Sequence, residues 1–153
     1  MLGLPYLKNS RTIASFIGLA VIVTDQITKF VALRFLSHRP TVPILPGVFH
    51  LTLVHNSGVA FGLFQGYGLL VTSATMILLI GLFRTTLRSG QGVLIPVCLG
   101  LVLGGAVGNV IDRVRFGGVV DFLDFRVWPV FNVADSCITV GAVLLALIFW
   151  RHH

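Results

Sequence analysis

Glutamate is missing from this chain altogether, and five aspartates supply every acidic side chain in its 153 residues. Charged residues of both signs make up only 10%, against about 25% in soluble domains, which excludes an ordinary water-facing surface. Cysteine occurs twice, at Cys98 and Cys137, each in an apolar run without a partner nearby in sequence. That excludes a disulfide scaffold and a cysteine metal cluster, and reads as two small buried hydrophobes. An aromatic-interleaved basic patch is absent too. The 11 Lys and Arg residues are dispersed, so the net charge of +6 points to membrane interfaces and anionic headgroups, not to nucleic acid.

What remains is apolar. Hydrophobic residues reach 56% and the mean hydropathy is +0.97, so the chain reads as an integral membrane protein of one domain, residues 1–153. About 20 apolar residues cross the hydrocarbon. Four spans meet that length: about 12–33, about 67–83, about 92–111 within the uncharged stretch Ser89–Ile111, and about 132–150. Lys8 and Arg11 ahead of the first span look like the start of a signal peptide. The stretch instead leads into Asp25, Gln26 and Lys29 with no small-x-small cleavage site, so it is expected to stay as a helix.

Four spans put both termini on one side. Lys8, Arg11, Arg84, Arg88 and Arg151 flank one face, and Arg34, Arg39, Arg113, Arg115 and Arg126 flank the other. The first group is denser, in a short tail, a short loop and a short end, which places both termini in the cytoplasm. The loops at about 34–66 and 112–131 are then extracytoplasmic. In the first, Pro40, Pro43, Pro46 and Gly47 mark turn, and Val48–Val54 alternates as a strand. Ser57 to Phe64 is glycine-rich and apolar, fit to lie on a bilayer surface. In the second, Val119–Val120 and Val127–Val130 are short β-branched pieces. A small sheet resting on the membrane is expected. Gly100, Gly104 and Gly108 recur at spacing four in the third span, a face for close helix packing.

Four of the five aspartates fall in the 24 residues from Asp112 to Asp135. An intramembrane acid costs roughly 2.5–3.5 kcal/mol at a helix centre, so a retained cluster implies chemistry. Asp25 and Lys29 share a helical face and can pair. Asp112 suits a helix end or loop brace, and Asp124 an exposed role. Asp121 and Asp135 sit on separate elements at one depth. Two opposed carboxylates share a proton, one taking a proton from water while the other polarises a carbonyl. Two rivals stay open on the residues alone. One is a serine peptidase using Ser57 or Ser136 with Lys29 as base; the other is a proton-coupled transporter carrying its proton on Asp25.

Five motifs, in order and at compatible spacing, resemble signal peptidase II, the lipoprotein signal peptidase family of bacterial aspartyl peptidases. They are Thr24-Asp25-Gln26 with Lys29; His55 to Phe61; Gly105 to Arg113; Gly118 to Phe122; and Phe131 to Ser136. The resemblance implies a four-helix membrane bundle with a small extracytoplasmic β-cradle and a surface helix, in the bacterial inner membrane, with the active site near the outer leaflet. It implies Asp121 and Asp135 as the catalytic dyad. Asn56, Asn109, Arg113 and Asn132 would hold substrate or orient the dyad, and Asp25, Lys29, Gly58 and Asp112 would support the site. No metal or other cofactor is implied. The expected partners are lipid-modified prolipoproteins and membrane phospholipid, and one four-span unit, a monomer, houses the whole site.

Overall fold

A computed structural model describes residues 4–57 and 93–151, with isolated positions 70, 73, 76, 77 and 81. The second span expected at about 67–83 lies almost wholly outside the described residues, as do Gly58 and the surface helix. Among the described residues, three helices are long and apolar enough to cross a membrane. α1 runs Leu4–Leu36, α2 Leu94–Phe116 and α3 Val133–Arg151. Their outer faces carry bare apolar side chains, Phe16, Leu19, Phe30, Val140 and Leu147 among them. Lipid is the solvent that suits such faces.

Small residues set the packing. A methyl group on Gly104 would lie 2.6 Å from the Gly18 carbonyl oxygen, so α1 and α2 meet backbone to backbone. Gly105 faces the other way, where a methyl would come 2.5 Å from the Ala134 carbonyl oxygen of α3. The stripe of Gly100, Gly104 and Gly108 expected from spacing therefore packs on α1, and Gly105 beside it packs on α3. Between α2 and α3 lies a core of Ile95, Cys98, Leu99, Val102 and Leu145. Cys98 is fully buried as expected, whereas Cys137 is half-buried.

α2 extends past the expected span end at residue 111, carrying Asp112 and Arg113 within the helix and stopping at Gly117. Gly117 adopts φ 73°, and its N–H donates to the Arg113 carbonyl at 3.0 Å. Arg113 and Arg115 in the last turn favour the negative helix end. Three strands form an antiparallel sheet in the order β1 (Thr41–Leu45), β2 (Phe49–Asn56), β3 (Val119–Asp124). β2 matches the alternation at Val48–Val54. β1 was not expected: its prolines read as turn, yet Pro43 sits on an edge strand, where a missing N–H is tolerated. Val127–Val130 is loop and not strand; only Phe131 bridges back to Leu123. The sheet packs on the end of α1 through Phe122 against Ala32 and Leu36.

Candidate active site

Phe122 of β3 packs on α1, and alternation turns its neighbour Asp121 to the other face, where it is buried too. Asp121 is 2% exposed. Asp135 stands in the first turn of α3, three residues after Asn132. Asn132 caps that helix: its Oδ1 accepts the Asp135 N–H at 2.9 Å, and Asp135 Oδ2 accepts the Asn132 N–H at 3.4 Å. This is a reciprocal capping box with a short acid in the usual Glu position. The same Asn132 donates Nδ2 to Asp121 Oδ1 at 2.6 Å. Its Nδ2 also lies 3.3 Å from Asn109 Oδ1, and Asn109 Nδ2 donates to Asp135 Oδ1 at 2.8 Å. Two amides thus join the two acids, and Asn56 adds a donor to Asp121 Oδ2 at 3.1 Å.

Behind the amides stands a buried cation. Lys29 Nζ lies 2.9 Å from Asp25 Oδ2, 2.8 Å from Asp112 Oδ2 and 3.0 Å from Asn109 Oδ1. The expected Asp25–Lys29 pair is present, and Asp112 joins it as a third member. Each carboxylate of this triad then holds a main-chain N–H. Asp25 accepts from Ala134 at 2.9 Å, the residue before Asp135. Asp112 accepts from Val120 at 3.1 Å, the residue before Asp121. One ammonium therefore ties together the two backbone positions that carry the two acids.

Burial, with the nearby Asp135 charge, pushes the Asp121 carboxyl up to about 7 against the pull of the Asn56 and Asn132 donors. Arg113 donates NH1 to the Asn109 carbonyl at 3.3 Å and lies in the field of Asp135, Asp121 and Asp112. Among the described residues, no group of three or more His, Cys, Asp or Glu is placed to hold a metal ion.

Asp124 departs from its expected exposed role. It is 4% exposed, accepts Thr52 Oγ1 at 2.7 Å, and accepts the Arg126 N–H and NH1 at 2.8 and 3.2 Å. The Thr52 hydrogen bond, followed by the Arg126 N–H, holds its carboxyl below the usual range. Gln26, part of the Thr24-Asp25-Gln26 motif but given no role from sequence, also belongs to the buried cluster around Lys29. Its Nε2 donates to Asp112 Oδ1 at 3.0 Å and to the Gly108 carbonyl at 3.3 Å. Its signal was a lone amide in an apolar span. The serine rival finds no support in this geometry: Ser136 Oγ donates to the Asn132 carbonyl at 3.0 Å, Ser57 is exposed, and Lys29 is engaged by Asp25, Asp112 and Asn109. The transporter's carrier, Asp25, is locked in the same triad.

Comparison with known proteins agrees with this picture. A family model described as signal peptidase (SPase) II matches residues 17–151. The lipoprotein signal peptidase of Halothermothrix orenii is 43% identical, over 87% of this chain and 92% of its own. That of Pelotomaculum thermopropionicum is 46% identical, over 86% and 88%. A bacterial membrane enzyme solved by the in meso method at 2.3 Å superposes with a TM-score of 0.79 at 30% identity, covering 90% of this chain and 87% of its own.

Proposed function

The chain belongs to the signal peptidase II family, and we propose that Asp121 and Asp135 are its catalytic pair. It is an aspartic peptidase of the bacterial membrane that removes signal peptides from prolipoproteins. In our reading it cleaves just before a diacylglyceryl-modified cysteine. The observation that carries the dyad is the amide bridge: Asn132 and Asn109 hold Asp121 and Asp135 from between them, at 2.6 and 2.8 Å.

The chemistry follows from the difference between the two acids. Asp121, raised to about 7, keeps a proton near neutrality and donates it as a hydrogen bond to the scissile carbonyl. Asp135, facing N–H donors, takes a proton from the attacking water. When the tetrahedral intermediate collapses, that proton passes to the leaving amine. Asn56, Asn109, Arg113 and Asn132 position substrate or dyad. Lys29, Asp25 and Asp112 brace it, with Gly58 nearby in sequence to Asn56.

We further read residues 1–153 as one domain of four spans, the second at about 67–83, with both termini cytoplasmic and the sheet outside. The dyad then lies near the outer leaflet of the inner membrane. The denser Lys and Arg flanking of the helix ends next to the termini supports this orientation. The substrate's acyl chains stay in lipid while its peptide bond reaches the dyad. All described site residues come from one chain, which supports a monomer.

The test is cleavage of a diacylglyceryl-modified prolipoprotein by purified wild type, Asp121→Asn and Asp135→Asn, each checked for folding by its melting curve. Wild type cuts, and both folded variants lose activity. Near-normal cleavage by either variant would sink the dyad.

A further inference from the structure

The loop from Phe125 to Val130 joins the two proposed catalytic elements, and it presents apolar side chains outward. Val127 is 92% exposed and Trp128 61%. The Asp124 clamp directs them there. Arg126 is the one non-glycine residue with positive φ among the described residues, at 64°, and both its N–H and its guanidinium are held by the buried Asp124. A buried acid and an unfavourable backbone conformation are both committed to holding this loop's shape.

The patch is continuous. Phe125 stacks between Phe49 (centroids 4.8 Å) and Phe131 (5.9 Å), and Phe49 pairs in register with Leu45. Exposed Ile44 and Leu45 at the end of β1 and Val48 in the turn that follows therefore share one end of the sheet with Phe125, Val127 and Trp128. An apolar patch of this kind marks an interaction surface.

α3 indicates what covers it. The loop ends two residues before α3 begins, so the patch runs directly into a helix whose Val140, Val143 and Leu147 already face outward as lipid-contacting side chains. α3 has 19 residues and is about 28 Å long, close to the hydrocarbon thickness of about 30 Å. The chain's two tryptophans, Trp128 and Trp150, mark the two ends of that helix, one ahead of its start and one in its last turn. Trp favours the headgroup layer, where its ring is apolar and its N–H stays wet.

We propose that the Phe125–Val130 loop is a wedge seated in the headgroup layer of the bilayer, with Val127 and Trp128 as its tip. It fixes the depth of α3, and hence of Asp135 on that helix's first turn, relative to the membrane surface. The occupant is the lipid interface, not a second protein and not the substrate.

Trp150→Phe leaves Trp128 as the single tryptophan reporter. The variant is reconstituted in phosphatidylcholine–phosphatidylglycerol vesicles with bromines placed shallow or deep on the acyl chains. Shallow bromines should quench Trp128 several-fold more strongly than deep ones, and aqueous acrylamide should quench it weakly, with no substrate present. Strong acrylamide quenching without bromine quenching would put the loop in water and overturn the wedge. Equal quenching by deep bromines overturns an interfacial seat, and lipid quenching that appears only after prolipoprotein is added reassigns the patch to substrate. Adding Val127→Gln should weaken shallow quenching and raise KM for membrane-embedded prolipoprotein several-fold, with kcat unchanged. An unchanged KM overturns the depth-setting role. The quenching needs no catalysis, so it stands apart from the dyad test.

Discussion

Replacing Lys29 with Met separates two kinds of ion pair in this protein. Lys29 is 3% exposed, and its partners Asp25 and Asp112 are 0% and 1% exposed. Met keeps the length and apolar stem but removes the only cation within salt-bridge range of either acid among the described residues. Breaking a buried pair from one side costs about 3–5 kcal/mol, because the orphaned charge has no water to turn to. In a chain of this size that lowers Tm by about 6–20 °C. The Asp124–Arg126 pair serves as control, since its Arg side chain is 51% exposed. Such pairs contribute about 0–1 kcal/mol, so Arg126→Gln should move Tm by no more than a few degrees. A triple variant, Lys29→Met with Asp25→Asn and Asp112→Asn, has no orphaned charge. Each Asn keeps an oxygen for the Ala134 or Val120 N–H, so most of the lost stability should return. Thermal unfolding in detergent micelles measures all four proteins. A Lys29→Met protein within about 0.5 kcal/mol of wild type, or a triple variant less stable than the single, refutes the reasoning.

Three more outcomes follow from the same geometry. Asn132→Ser keeps an N-cap oxygen for α3 but loses the donor to Asp121, so melting should hold while kcat falls about tenfold to a hundredfold; unchanged turnover would remove Asn132 from the machinery. Folding raises Asp121 from 3.8 to about 7, so between those values the folded state binds the extra proton. Its contribution to stability is present below about pH 4 and declines as pH rises toward 7, by up to about 1.4 kcal/mol per pH unit. Melting curves across that window should lose this slope in Asp121→Asn, and kcat/KM of the wild type should fall on the alkaline side of about 7. Gly105→Ala sets a methyl 2.5 Å from the Ala134 carbonyl, and backbone cannot yield as a side chain does. It should cost about 1–3 kcal/mol and depress kcat by shifting α3 and Asp135; wild-type kinetics would show that α3 moves freely of the site.

The acids were legible because ionised groups are expensive in an apolar chain, so each survivor stands out. Asp25 and Lys29 could be paired from spacing alone, since positions four apart share a helical face. Asp112 could not be joined to them, because its contact to Lys29 crosses between helices far apart in sequence. β2 was visible in its alternation, whereas β1 was hidden by prolines that an edge strand tolerates. Asp124 reads as exposed because nothing in Asp121-Phe122-Leu123-Asp124-Phe125 reveals that Thr52 of the neighbouring strand covers it. Val127–Val130 looks like strand by residue type, but the positive φ at Arg126 turns the chain out of the sheet first.

Why keep three buried ions beneath a site that already has two acids to accommodate? Stability is a weak answer, since well-packed apolar residues often serve as well as a buried ion pair. Position is a better one. Asp25 and Asp112 each use one oxygen on Lys29, and both hold a peptide N–H, of Ala134 and Val120. A charged acceptor makes a shorter and stronger bond to an N–H than a neutral one. Because both carboxylates close on a single ammonium, a shift of either backbone segment strains the other through Lys29. The separation of Asp121 and Asp135 is thereby fixed from behind by the triad and from between by Asn109 and Asn132. Two acids that share one proton need such a fixed distance: held too far apart both ionise at neutral pH, and neither can donate to a carbonyl.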